Sequence, residues 1–462
     1  MVGLRKGCLS LTLACLVTAC GGGSGDSGAE SQRPDEDEVP GPVVVDPTEP
    51  EEVARFDIRD TDQLYAYKQD SPYADVLKDC ALVEEAEDAC TLEVLPFITQ
   101  ATPDFTREDI LDRLLVTHDW MGQRFEQLLA DAPEHMVTLF GSLTSISIGS
   151  TVRPSNYWGG TGGIQLDPEN LWLSVAEKAN ISIEEDYRSN FGKDLQYWAF
   201  GTLRLGNEPA VRFYTLTSPS ERTLSDIKIP MFRLLYHELA HAVDFLPSNS
   251  VAMLDASLIP SAALDANDEF WLSPRLYLDL PLYSEELQSL AQVSYKGREA
   301  SVEQKDFTPD YVGSLMGNDG AAKYYAYSTI REDFATLFAT AMIKQDFNVD
   351  YYMAFVQKPE DEDDYECDEL AVGWGARNRI ADPLVAPRAQ WVVDSVYGNS
   401  IENDQFFASA LGQQSLMTAG LDWCSNRDGT TMASKQKQNA PGADAGEQGR
   451  IQLEGERLDN LH

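Results

Sequence analysis

The chain has 462 residues and a formal net charge of −41, from 76 Asp and Glu against 35 Lys and Arg. That excess of negative charge sets nucleic acid and bare anionic lipid aside as partners, because both repel it. A hydrophobic share of 43% over this length is enough for a large core, without any internal repeat.

Residues 1–19 open with Arg5 and Lys6 and continue as an apolar run from Cys8 to Ala19. A basic start and a short apolar stretch make a secretory signal, too short to span a bilayer stably. The run ends Leu16-Val17-Thr18-Ala19-Cys20-Gly21, which resembles the lipobox of bacterial lipoproteins. The resemblance implies acylation of Cys20, palmitate included, and Cys20 as first residue of the mature chain. Gly21 after it implies the outer membrane, on its periplasmic or its cell-surface face. No later stretch is long and apolar enough to cross a bilayer, so membrane contact is expected through the N-terminal lipid only. Residues 20–54 are rich in Gly, Ser, Pro, Asp and Glu and read as a disordered acidic tether.

Residues 55–135 read as a mainly helical region. Thr106 to Ala130 carries a capping Thr106, acids at Glu108 and Asp109, and a helical apolar pattern, which predicts one long amphipathic helix. His118 on it reads as a packed or surface histidine. A second region is expected over residues 136–424. Residues 136–152 are β-rich, and Gly159 to Gly163 reads as a turn into a strand. Alternation through Leu203, Leu205, Val211, Phe213 and Leu216 predicts further strands of a mixed sheet.

His237-Glu238-Leu239-Ala240-His241 follows, in an apolar stretch from Met231 to Leu246 that reads as a buried helix opened by Pro230. Imidazoles four residues apart share one helix face, with Cβ atoms about 5–6 Å apart, so both can hold one Zn²⁺. Glu238 lies about 100° further round, where it reaches an attacking water rather than the metal. The chain has 5 histidines, and two at this spacing beside Glu238 in an apolar helix need partners or a metal. Asp244, one turn on, reads as a group that orients a ligand histidine.

Position 247 is Pro and no histidine follows before His462, so the third ligand is expected to be a carboxylate. Ser328 or Thr329 can cap a later helix with the apolar stripe Phe334, Leu337, Phe338 and Ala341. Glu332 stands near its start, facing the first helix; Asp333 is the neighbouring alternative.

These two blocks resemble the gluzincin metallopeptidases, most closely the anthrax lethal-factor-like group, which carries an HExGHxxD helix and a later ExFA helix. His237, Glu238, His241 and Asp244 match the first motif, with Ala240 in place of its Gly. Glu332, Phe334 and Ala335 match the second, and Tyr325 falls seven residues before Glu332, where the group has a tyrosine. The resemblance implies an α+β, zincin-like catalytic domain: a mixed sheet, an active-site helix and a helical lower lobe, here with a long insertion over 247–322. It implies one Zn²⁺ per chain on His237, His241 and Glu332, with Glu238 as general base and Tyr325 as stabiliser of the tetrahedral oxyanion. The substrate class would be peptide or protein. In zincins an edge strand beside the active helix holds extended substrate, and Ile164–Leu166 is the candidate. Two other readings remain open: a catalytically silent scaffold serving an envelope or importer partner, and an amidase on peptidoglycan or glycoprotein.

With Cys8 and Cys15 in the signal and Cys20 at the lipobox, Cys80, Cys90, Cys367 and Cys424 remain. Four cysteines in an oxidising compartment allow three pairings. Cys80–Cys90 and Cys367–Cys424 are expected, the first because its loop is local. The acidic run from Pro359 to Glu369 lacks EF-hand spacing and reads as a solvated loop. Residues 425–462 read as a flexible polar tail.

Overall fold

Leu114-Leu115-Val116 are buried at every position, which an amphipathic helix cannot do with three consecutive residues but a strand inside a parallel sheet can. The helix expected over Thr106–Ala130 is therefore broken in two. A short helix, Arg107–Leu111, starts at a capping box between Thr106 and Asp109. Strand β2 (Leu114–Val116) follows, and then helix α1 (Asp119–Asp131). The computed structural model describes residues 63–184, 186–248, 250–429, 450, 452, 453, 456 and 457. The signal, Cys20 and the expected tether lie outside the described residues.

The first sheet comprises β1 (Tyr65–Ala66), β2, β3 (Ile146–Ile148), β4 (Asn156–Trp158) and β5 (Gly163–Leu166), in the order β1-β2-β3-β5-β4. β2, β3 and β5 are parallel, and β1 and β4 are antiparallel at the edges. The sheet thus joins strands from both sides of residue 135. Ile164–Leu166 lies in β5, between β3 and β4, so it is not the edge expected of it; the edge is β4. The glycine-rich turn joins β4 to β5, with Gly162 at a φ of 69° that favours glycine. Residues 136–152 supply only β3, because a helix, Glu134–Leu139, takes their first part.

The second sheet is antiparallel throughout: β6 (Tyr197–Leu205), β7 (Glu208–Pro209), β8 (Asp350–Gln357), β9 (Val372–Arg377) and β10 (Ser415–Leu416), in the order β10-β9-β8-β6-β7. β6 turns back at Gly206, with φ 61°, so the expected strand character beyond Val211 does not form. The molecule is α+β, with one mixed and one antiparallel sheet.

Helix α2 (Leu224–Phe245) begins at a capping box of Thr223 and Asp226, placing Pro230 inside it rather than in its first turn. Every residue from Met231 to Asp244 is buried. It packs along α4 (Ile330–Phe347), likewise buried from Arg331 to Lys344 and closed by Asn348 in the left-handed region. Each fully buried Leu or Phe at such a contact contributes about 1.5–3 kcal/mol. The segment between them is helical and includes α3 (Leu272–Asp279), the helices Glu285–Tyr295 and Pro309–Gly317, and shorter turns.

Both expected disulfides are formed, Cys80–Cys90 and Cys367–Cys424. The expected flexible tail is partly docked. Glu456 is fully buried and accepts from Trp423 Nε1 at 2.7 Å and from Arg427 at 2.9 Å. A buried carboxylate held by two donors fixes that part of the chain. Among the described residues no helix is long and apolar enough to cross a membrane.

Candidate metal centre

The two histidines come from the buried middle of α2 and the carboxylate from the first turn of α4. Thr329 caps α4, its hydroxyl accepting from the Glu332 N–H at 3.1 Å. The Glu332 side chain is then free to turn toward α2. Its Oε2 lies 3.1 Å from His237 Nε2 and 3.5 Å from His241 Nε2, and the two Nε2 atoms are 3.3 Å apart. Donors about 2.0–2.1 Å from a tetrahedral ion stand about 3.3–3.4 Å from one another. The separation between the two nitrogens matches, and the two to the carboxylate oxygen lie within about 0.2 Å of it. Glu332 Oε2 is buried yet makes no hydrogen bond, an expensive state for a carboxylate oxygen unless a cation takes it. His237, His241 and Glu332 therefore form a buried group able to hold a metal ion.

Electrostatics agree. Burial pulls the His237 imidazole down to about 4, offset in part by Glu332, which keeps it neutral and ready to ligate. Burial would raise Glu332, but the imidazoles, His241 foremost, hold it well below the usual carboxylate range. Burial pushes Glu238 up to about 7, against the pull of His241 and of a hydrogen bond from the Tyr157 backbone N–H. Tyr157 belongs to the edge strand β4, so that edge runs directly past Glu238.

Tyr325 sits in a short turn before α4, and its hydroxyl donates to Glu332 Oε1 at 2.9 Å. Its ring lies tilted 6.3 Å from His237 and edge-on to Tyr295 at 4.8 Å. Asp333 points elsewhere, paired with Arg388 at 2.9 Å through Nη1, so the alternative third ligand is already occupied.

Asp244, expected to orient a ligand histidine, bonds to α3 and to Arg331. Its Oδ1 accepts from the Leu272 and Ser273 N–H groups at the start of α3, at 3.0 and 2.6 Å, and its Oδ2 from Arg331 at 3.0 Å. One helical turn beyond His241 carries it past the imidazoles, toward the open N–H groups of α3. Sequence reasoning missed Arg331, Arg388 and Tyr157, because each acts through a partner distant in sequence. The only signal was charged residues, Arg331 and Asp333, flanking Glu332 in a buried helix.

The other described histidines serve elsewhere. His118 bonds Thr117 and Ser150, and His135 bonds Tyr236 and Asp346. Cys367, Asp422 and Cys424 lie close together, but the disulfide between the cysteines leaves no thiolate for a metal. The chain matches no protein-family model, no curated protein and no solved structure.

Proposed function

We propose that the chain is a zinc-dependent metallopeptidase of zincin architecture, anchored by a lipid on Cys20 in the bacterial outer membrane. The observation that carries this reading is the meeting of His237, His241 and Glu332 at tetrahedral spacing beside a buried Glu238. A nitrogen, nitrogen, oxygen donor set of this size suits zinc, which when bound polarises a carbonyl and acidifies water. Glu238, with its carboxyl near neutrality, accepts the proton of the attacking water and returns it to the leaving amine. The Tyr325 hydroxyl, already beside the ligand carboxylate, donates to the oxygen that gains charge in the transition state. Strand β4 is an edge strand of the first sheet and passes Glu238, which makes it the candidate for pairing with an extended peptide, as in strand addition.

Glu238→Gln keeps the shape and the three donors but removes the base. The reading expects this variant to hold its metal and lose hydrolysis of an unfolded protein such as casein. Full activity in it overturns the reading. Metabolic palmitate labelling that disappears in Cys20→Ala supports the anchor; labelling that persists there removes it.

A further inference from the structure

Arg331, Glu332 and Asp333 open α4 as three consecutive buried charges. The outer two are committed to opposite ion pairs. Arg331 reaches Asp244 of α2 at 3.0 Å, and Asp333 is paired with Arg388 of helix α5 (Ala386–Tyr397). The Arg331 guanidinium also lies 3.7 Å from the Phe245 ring and 4.6 Å from the Trp271 ring. Asp244 is fully buried and accepts from two N–H groups of α3 besides Arg331. Trp271, Leu272 and Ser273 all belong to the segment that separates the two motifs.

A buried ion pair is seldom a net source of stability, since desolvation offsets its attraction. What this pair does is fix register. Turning α4 by one residue rotates its first turn by about 100°, which would replace the Glu332 carboxylate with Arg331 or Asp333. With Arg331 held on one side and Asp333 on the other, only Glu332 meets the imidazoles. We propose that Asp244 and Arg331 are positioning residues for the third metal ligand, and that residues 271–273 of the inserted segment complete that clamp. The inference rests on the metal-centre reading. It goes beyond it in giving the insertion a role in metal retention.

The test uses the full chain and reads metal affinity by competition with a chromogenic chelator, together with the visible absorption of the Co²⁺-loaded protein. In the double variant D244N/R331M, the amide put in place of the Asp244 carboxylate retains an oxygen for Leu272 and Ser273. The thioether put in place of the Arg331 guanidinium retains an apolar stem between Phe245 and Trp271. Both charges are removed together, so none is left unpaired. The expected result is a cooperative fold with Zn²⁺ affinity lower by roughly 10–100-fold and a shifted Co²⁺ spectrum. Arg331→Lys is the second variant, keeping the charge but losing the planar fork and its stacking; a weaker fall in affinity is expected there. Arg124→Met breaks a pair with Glu177 that ties α1 to the helix Val175–Lys178; it should lower stability and leave the Zn²⁺ affinity alone. Unchanged affinity and spectrum in the double variant, or in Arg331→Lys should the double variant not fold, overturns the proposal. A wild-type chain that binds no metal overturns it together with the metal centre. A wild-type chain that binds metal but cuts no peptide defeats only the peptidase reading, because this readout is affinity.

Discussion

The Tyr325 hydroxyl donates to Oε1 of Glu332 at 2.9 Å, which leaves Oε2 as the oxygen that faces His237 and His241. One hydrogen bond therefore orients the Glu332 carboxylate and, on the proposed mechanism, holds a phenol beside the reacting position. Tyr325→Phe separates the two roles. Metal retention should fall less than about tenfold, because Thr329 and the flanking ion pairs still place Glu332. Turnover should fall by about 100-fold if the hydroxyl serves the oxyanion. Steady-state kinetics on a peptide substrate, beside metal content, decides it, and an unchanged kcat removes Tyr325 from the chemistry.

Glu332 and Asp333 are adjacent carboxylates with opposite expected phenotypes. Glu332→Ala removes a ligand and should release the metal. Asp333→Asn removes no ligand but leaves the Arg388 guanidinium buried without its counter-charge, a loss of about 3–5 kcal/mol. Chemical denaturation and metal analysis on both variants check this contrast. Metal lost from Asp333→Asn and kept by Glu332→Ala would reverse the assignment.

As the proposed base, Glu238 would set the acid side of the pH profile, working only when deprotonated. Burial lifts its carboxyl to about 7 before any cation is bound. A bound cation favours the carboxylate and moves this value down. kcat/KM should therefore fall with decreasing pH along a limb centred at or below about 7. A limb centred well above that value would assign the titration to another group.

The Cys367–Cys424 bridge spans a sequence separation of 57 residues and joins the end of the acidic run to the helix that holds Glu456. Removing it as Cys367→Ser with Cys424→Ser should cost about 2–5 kcal/mol, seen as a lower unfolding midpoint, while the metal centre in α2 and α4 stays loaded. A simultaneous loss of metal would mean the two regions unfold together.

The local parts of the site were legible in the sequence. His237 and His241 lie on one helix, so their spacing alone puts them together, and Glu332 stood out as an acid in the first turn of a capped helix with an apolar stripe. Thr329 followed three residues later by Glu332 reads locally as a helix start, and it is one; only the tertiary fold turns the carboxylate away from its own cap and onto α2. What depended on distant partners could not be read. Asp244 was placed near the histidines by chain position, but α3 arrives from the insertion and claims it. The run Leu114-Leu115-Val116 fits a helical pattern until β3 supplies hydrogen bonds beside it. β5 looked like an edge because nothing local reveals that β4 folds back across it.

The most direct test is the metal content of the purified full chain beside its Glu332→Ala variant. The account predicts one zinc per wild-type chain and little or none in the variant, with both folded. A wild-type chain that carries no zinc and takes up none on loading, or a variant that keeps zinc as tightly as the wild type, would contradict it.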